Sequence, residues 1–172
     1  MSAHDTVTRS QYLSFSVLGG DCAIPILQVK EILPYEAPTR VPSVPASIRG
    51  VINLRGTVVP VVDLAAKLGF PEAGVASKAC ILVVEAQLGA GRTVVGVMAD
   101  AVREVLELAP DELEPPPTLG ATMLGDFLAG LGKVGKRFVL LLDLDHLLES
   151  EEESLTAAAA AAEVPARPRA RA

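Results

Sequence analysis

The chain has 172 residues and a formal net charge of −6; half its residues are apolar, only 3% are aromatic and none is tryptophan. That length suits one domain, or two small units sharing a core. The acidic balance and the lack of a basic stripe exclude nucleic acid as the expected partner, and no run approaches the ~20 apolar residues that span a bilayer, so direct membrane insertion is excluded too.

Met1 to Ser10 is polar, lacks the apolar core of a signal peptide and reads as a flexible N-terminal arm. Gln11 to Val17 alternates: Leu13, Phe15 and Val17 face one way, and Tyr12, Ser14 and Ser16 the other, which predicts a half-buried strand. A Leu18-Gly19-Gly20-Asp21 turn leads into a second strand, Cys22 to Ile26. Val29, Ile32 and Leu33 recur at helical spacing, so one or two helical turns are expected there, with Lys30 and Glu31 outward and Pro34 as the stop.

Ile48 to Leu54 and Thr57 to Asp63 form a hairpin whose turn carries Arg55 between Leu54 and Gly56. Pro60 lacks an N–H and calls for an edge position or an irregularity. Asp63 caps a short helix, Leu64 to Leu68, and Gly69 ends it. Phe70 to Ser77 reads as a linker.

Lys78 to Ala86, Thr93 to Met98 and Ala101 to Leu108 read as further strands. Pro115-Pro116-Pro117 imposes polyproline geometry, and Thr118 to Gly130 reads as a loop in which Met123, Leu124, Phe127 and Leu128 can pack down. Leu131 to Gly135 and Arg137 to Asp143 make a last hairpin, closed by a helix from Leu144 to Leu148. From Glu149 onward come three consecutive glutamates, six consecutive alanines and a proline–arginine end, without a stripe of large apolar side chains. This tail, 149–172, reads as disordered or as a frayed alanine-rich helix. The whole is expected to be all-β, with about ten short strands in two groups that curl into barrels and pack on one another.

No catalytic or metal constellation stands out. His4 and His146 have no histidine or cysteine at ligand spacing. Cys22 and Cys80 sit in apolar runs and read as buried free thiols. Asp143 and Asp145 read as a strand end capping the closing helix, since a cation site needs more oxygen ligands. The glycines at 130, 132 and 135 serve turns, because no phosphate-loop pattern surrounds them. No catalytic residue, metal ligand, cofactor-binding residue or cofactor is therefore expected. Arg55 remains: a rigid fork of donors held between buried hairpin arms, suited to recognising a partner's carboxylates or carbonyls. Gly50 and Gly56 beside it serve backbone conformation or close approach.

Several separated pieces occur together in a familiar order: Tyr12-Leu13-Ser14-Phe15, Ile26-Leu27-Gln28-Val29-Lys30-Glu31-Ile32, Gly50-Val51-Ile52-Asn53-Leu54-Arg55-Gly56, Val58-Val59-Pro60-Val61-Val62-Asp63-Leu64, Gly96-Val97, Gly130-Leu131-Gly132 and Leu140-Leu141-Leu142-Asp143. In these the chain resembles bacterial chemotaxis coupling proteins of the CheW family, from about Gln11 to Leu148. The resemblance implies two intertwined five-stranded SH3-like β-barrels on a shared core, with short helical turns: a first barrel at about 11–70, with possible strand exchange from the C-terminal part, and a second at about 78–143. It implies a non-enzymatic cytoplasmic adaptor recruited to membrane-associated receptor arrays, with two partners: the regulatory domain of a CheA-type histidine kinase and the cytoplasmic tip of methyl-accepting chemotaxis receptors. By the same resemblance, Val29, Glu31 and Arg55 would contact receptor, while Gly50, Gly56 and Leu119 would contact the kinase or support that surface. Leu119 departs from a position that is often aromatic. Alternatives are an adaptor of a parallel pathway for surface motility or development, a module that binds only the kinase and, from a different class, a small-molecule-binding barrel.

Overall fold

Residues 9–68, 75–89, 91–116 and 123–163 are described by the computed structural model. The first half holds β1 (Ser10–Val17), β2 (Gly20–Pro25), a 3-10 turn (Ile26–Gln28), β3 (Val29–Pro34), β4 (Ile48–Leu54), β5 (Thr57–Asp63) and α1 (Leu64–Lys67). The second holds β6 (Cys80–Leu88), β7 (Gly91–Ala99), β8 (Ala101–Leu108), a 3-10 turn (Pro110–Glu112), β9 (Leu113–Glu114), α2 (Met123–Asp126), β10 (Leu128–Val134), β11 (Arg137–Leu142), α3 (Leu144–Glu149) and α4 (Glu152–Glu163).

These strands make two sheets, ordered β8-β1-β2-β11-β10-β9 and β3-β6-β7-β5-β4. The expected all-β fold of two intertwined units is present, with a two-residue strand, β9, making the first sheet six-stranded. The units do not divide where the linker does. The N-terminal hairpin β1–β2 leaves the first half of the chain and pairs with β8 on one side and, in parallel, with β11 on the other. Likewise β5 joins β7 in parallel through Val61, Val62 and Asp63. The spatial partition therefore differs from one cut near residues 70–77: each unit combines strands from both halves.

Three local expectations change. Residues 29–34 are strand, not helix: β3 pairs antiparallel with β6, and Ile32, read as an inward residue, is 46% exposed at the sheet edge. The only helical residues there are the preceding three, Ile26–Gln28. Apolar residues at 29, 32 and 33 fit either periodicity over so short a span, and β6 supplied the ladder.

In β1 both faces are covered. Ser14 and Ser16 are buried together with Leu13 and Phe15. Ser14 Oγ donates to the Glu104 carbonyl at 2.9 Å and accepts from the Glu104 N–H at 3.1 Å, where the β1–β8 register shifts. The hydroxyl fills the ladder gap, which lets a polar residue be buried.

The tail is the largest correction. Glu152–Glu163 form α4, and its Leu155 and Ala158 are buried in the main core. Four side chains form the anchor at its start. Glu151 accepts a hydrogen bond from Ser47 Oγ and pairs with Lys67 Nζ at 3.3 Å, and Lys67 lies over the Phe127 ring at 5.4 Å. Two buried apolar positions one turn apart suffice because alanine allows close approach to β4 and β5. Residues 164–172 lie outside the described residues, as do 1–8 of the expected N-terminal arm.

Pro60 is accommodated without an edge. Val51, its partner on β4, exchanges both backbone hydrogen bonds with Thr39, at 2.8 and 2.9 Å, so the β4 ladder asks nothing of residue 60. The parallel ladder to β7 begins one residue later, at Val61.

One main core joins the two sheets, and a smaller apolar cluster of Ala23, Leu106, Leu108, Val139 and Leu141 lies apart from it. Phe15 and Ile24 from the first sheet, Val62, Leu82, Val84 and Val97 from the second, and Leu144, Leu147 and Leu148 from α3 belong to one apolar cluster. The three leucines of α3 sit at i, i+3 and i+4, a single inward face, and Asp143 caps it by accepting from the His146 N–H at 3.1 Å. Among the described residues no helix is long and apolar enough to cross a membrane. Because Leu155 is 2% exposed, Leu155→Ala should destabilise the protein by about 2–4 kcal/mol in a chemical denaturation series. A change within about 0.5 kcal/mol would match a tail that does not dock.

Candidate functional site

The hairpin β4–β5 pairs Leu54 with Thr57 across a two-residue turn. Arg55 and Gly56, its central residues, both have positive φ, 51° and 88°. That is the backbone of a type I′ turn, whose twist matches the flanking strands. Glycine adopts it freely, whereas arginine does so at a cost of about 1–2 kcal/mol. The Asn53 side chain offsets some of this by accepting the Gly56 N–H at 2.8 Å. Arg55 is thus held in one orientation by the hairpin rather than carried on a loose loop.

Its partner is Glu31 of β3. Arg55 donates from Nη1 to Oε1 at 3.1 Å and from Nη2 to Oε2 at 2.7 Å, a two-pronged pair. Two residues singled out from different parts of the sequence therefore meet. The Arg55 hydrogen bonds hold the Glu31 carboxyl below its ordinary value, and Glu31 raises Arg55 in turn. The pair stands at a cleft of about 390 Å³ lined by Lys30, Leu54, Thr57, Val59, Val83 and Val94 besides its own members. Val29, the third residue of the expected receptor set, is half-buried, packs on the main core and does not line this cleft.

The two glycines do different work. Gly50 has φ 143°, and a Cβ there would sit 2.1 Å from the Thr39 carbonyl oxygen. Close approach of the 39–40 segment demands glycine at this position. At Gly56 a Cβ would meet nothing within 4 Å, so only the turn's φ demands it. Leu119 lies outside the described residues.

Sequence reading missed two charged groupings. Arg49 pairs with Asp63, Nη2 to Oδ2 at 2.7 Å, while Asp63 Oδ1 caps α1 by accepting from the Ala65 and Ala66 N–H groups. Glu85 of β6 is shared by Lys30 at 3.2 Å and Arg92 at 3.4 Å. Only sheet pairing brings residues 30, 85 and 92 together, so no local spacing announces them. Among the other candidates, Asp143 caps α3, and Asp145 accepts from the Gln28 side chain at 2.9 Å and from the Gln87 N–H at 3.0 Å. Cys22 and Cys80 are free and buried. Burial, helped by Asp21, pushes the Cys22 thiol up to about 12, and burial with Asp100 raises Cys80 as well.

Two β-units threaded through one another, with a charged pair fixed over a cleft on the second, define an all-β double-barrel domain that presents a built surface. The CheW-like domain pattern matches residues 11–152, and the chain belongs to that family. It is 38% identical to the chemotaxis protein CheW of Klebsiella aerogenes over 153 residues, 89% of each chain. The chemotaxis protein CheW of Bacillus subtilis is 32% identical over 84% of this chain and 90% of its own. Protein FrzA of Myxococcus xanthus is 28% identical over 87% and 91%. The scaffolding protein TtCheW from Thermoanaerobacter tengcongensis superposes with a TM-score of 0.73 at 28% identity, covering 83% of this chain and 94% of that one.

Two measurements check the site. Gly50→Ala should cost at least about 3 kcal/mol, because backbone must move, and Gly56→Ala about 1–2 kcal/mol, from φ alone; equal costs would contradict the separate roles. By carbon-detected NMR, Glu31 should titrate below ordinary glutamates. A lowered carboxyl favours the fold above the unfolded glutamate pKa, and that contribution is lost as pH falls through the folded value. Arg55→Gln should move the Glu31 midpoint upward, and an unmoved midpoint would show that the pair does not form in solution.

Proposed function

We propose that this protein is a non-enzymatic cytoplasmic adaptor that couples transmembrane chemoreceptors to a CheA-type histidine kinase in a membrane-associated signalling array. The observation that carries this reading is the Arg55–Glu31 pair: a hairpin with a strained arginine in its turn, aimed at one carboxylate over an open cleft. Support comes from the relatives being chemotaxis proteins and from the related structure being that of a scaffolding protein. In this reading Val29, Glu31 and Arg55 meet the receptor tip. Gly50 and Gly56 shape the surface that meets the kinase regulatory domain, and Leu119 adds a second kinase contact.

The work of such an adaptor is linkage. Two partners bound to one rigid body bias each other's states, and no bond need be made or broken in the adaptor. Charged groups at the rim set orientation and encounter rate more than total affinity. A rigid turn suits that role, because a pre-set side chain loses little freedom on binding.

Reconstitution with a receptor fragment and kinase tests it. Wild type should raise or lower kinase activity in the presence of receptor, and no change on adding the chain would end the coupling claim. Arg55→Glu should fold normally and weaken binding to the receptor tip. The swapped pair, Glu31→Arg with Arg55→Glu, separates two roles: if it restores binding, the pair holds the turn in shape; if it does not, Arg55 touches the partner directly. Unchanged affinity of Arg55→Glu for both partners would remove the hairpin from the site.

A further inference from the structure

Three ion pairs border the Arg55 cleft region, and in each the carboxylate is the recessed member. Side-chain exposure is 72% for Arg55 against 30% for Glu31, 50% for Lys30 against 28% for Glu85, and 77% for Arg92 against the same Glu85. Three cations thus stand outermost over only two acids, on a chain whose net charge is −6. The comparable cluster on the other sheet balances: Arg103 and Arg137 face Asp21 and Glu104. Between the cations the apolar surface still open is that of Leu54 and Val94, while Val59 and Val83 line the cleft but are 0% and 1% exposed. Thr57 and Val94 continue into a neighbouring cleft of about 450 Å³ that Arg92 also borders, so one surface runs from Arg55 to Arg92. A third acid, Glu152 of α4, lines that second cleft with Arg92 and lies against Gly89, where a Cβ would sit 3.1 Å from its Oε1, so the cation surplus lies at the Lys30 and Arg55 end of the surface.

We infer that Lys30 and Arg92 are specificity-determining residues of this surface, and that its occupant is a protein segment with an apolar strip flanked by carboxylates. This rests on the adaptor reading, in which that segment belongs to the receptor tip. Charge complementarity selects the partner: the apolar strip covers Leu54 and Val94, and its acids meet the outward cations. Exposed ion pairs hold their members weakly, so Lys30 and Arg92 exchange Glu85 for a partner carboxylate at little cost. Glu85 is the internal placeholder that keeps the two cations extended while the surface is empty.

The test measures binding of full-length protein to a purified receptor-tip fragment over a salt series. Lys30→Gln with Arg92→Gln should weaken binding about tenfold at low salt and flatten its salt dependence, with the melting temperature unchanged. Glu85→Gln, which removes the placeholder, should bind as tightly as wild type or tighter. If wild type binds the fragment and the double variant binds equally well, this inference is overturned while the adaptor reading stands. If wild type binds no receptor fragment, both fall. Binding to duplex DNA as tight as to the fragment, and lost in the double variant, would assign the cations to nucleic acid and overturn the inference.

Discussion

Two parallel ladders hold this molecule together. β2 meets β11, and β5 meets β7, in each case joining a strand of the first half of the chain to one of the second. Parallel partners cannot be linked by a tight turn, so these contacts are non-local by nature. Neither sheet is complete without strands from both halves, and the apolar cluster between them draws on both sheets, α3 and α4. A partner that grips one unit therefore grips a body that includes the other.

The site inherits its rigidity from that arrangement. β5 is an interior strand, flanked by β4 and β7, so the Arg55 turn projects from a hairpin whose inner arm is held on both sides. β3 reaches the same place through β6, which puts Glu31 within hydrogen-bonding distance of a residue 24 positions away. Thr39 bridges to Val51 and steadies the base of the hairpin, and this is possible only because Gly50 has no side chain in the way. A charged pair so exposed adds little to folding. The scaffold meets the cost of a left-handed arginine at its apex.

Much of this was legible in the chain. The β4–β5 hairpin, the Asp63 and Asp143 caps and the closing helix α3 follow from short-range periodicity and capping chemistry, and the structure has each of them. Arg55, Glu31, Gly50 and Gly56 were recognisable as candidates from their motifs, with Gly50 and Gly56 assigned to backbone needs. Three features were not legible. The 29–34 segment is too short for its apolar spacing to separate helix from strand, and its partner β6 decided it. The alanine-rich tail lacks a visible stripe, yet Leu155 and Ala158 are enough when Ser47 and Lys67 hold Glu151 at its start. The Lys30–Glu85–Arg92 group draws on three strands.

The division has a simple physical basis. The amino-acid sequence by itself determined what depends on neighbours along the chain: strand alternation, turns, helix caps, buried thiols and a glycine-bounded arginine. Tertiary structure alone decided which strands closed each unit, where the tail docked, and which carboxylate met Arg55. Those outcomes depend on ladders and apolar surfaces supplied by residues tens of positions away, whose pairing leaves no periodic mark on the segments that meet.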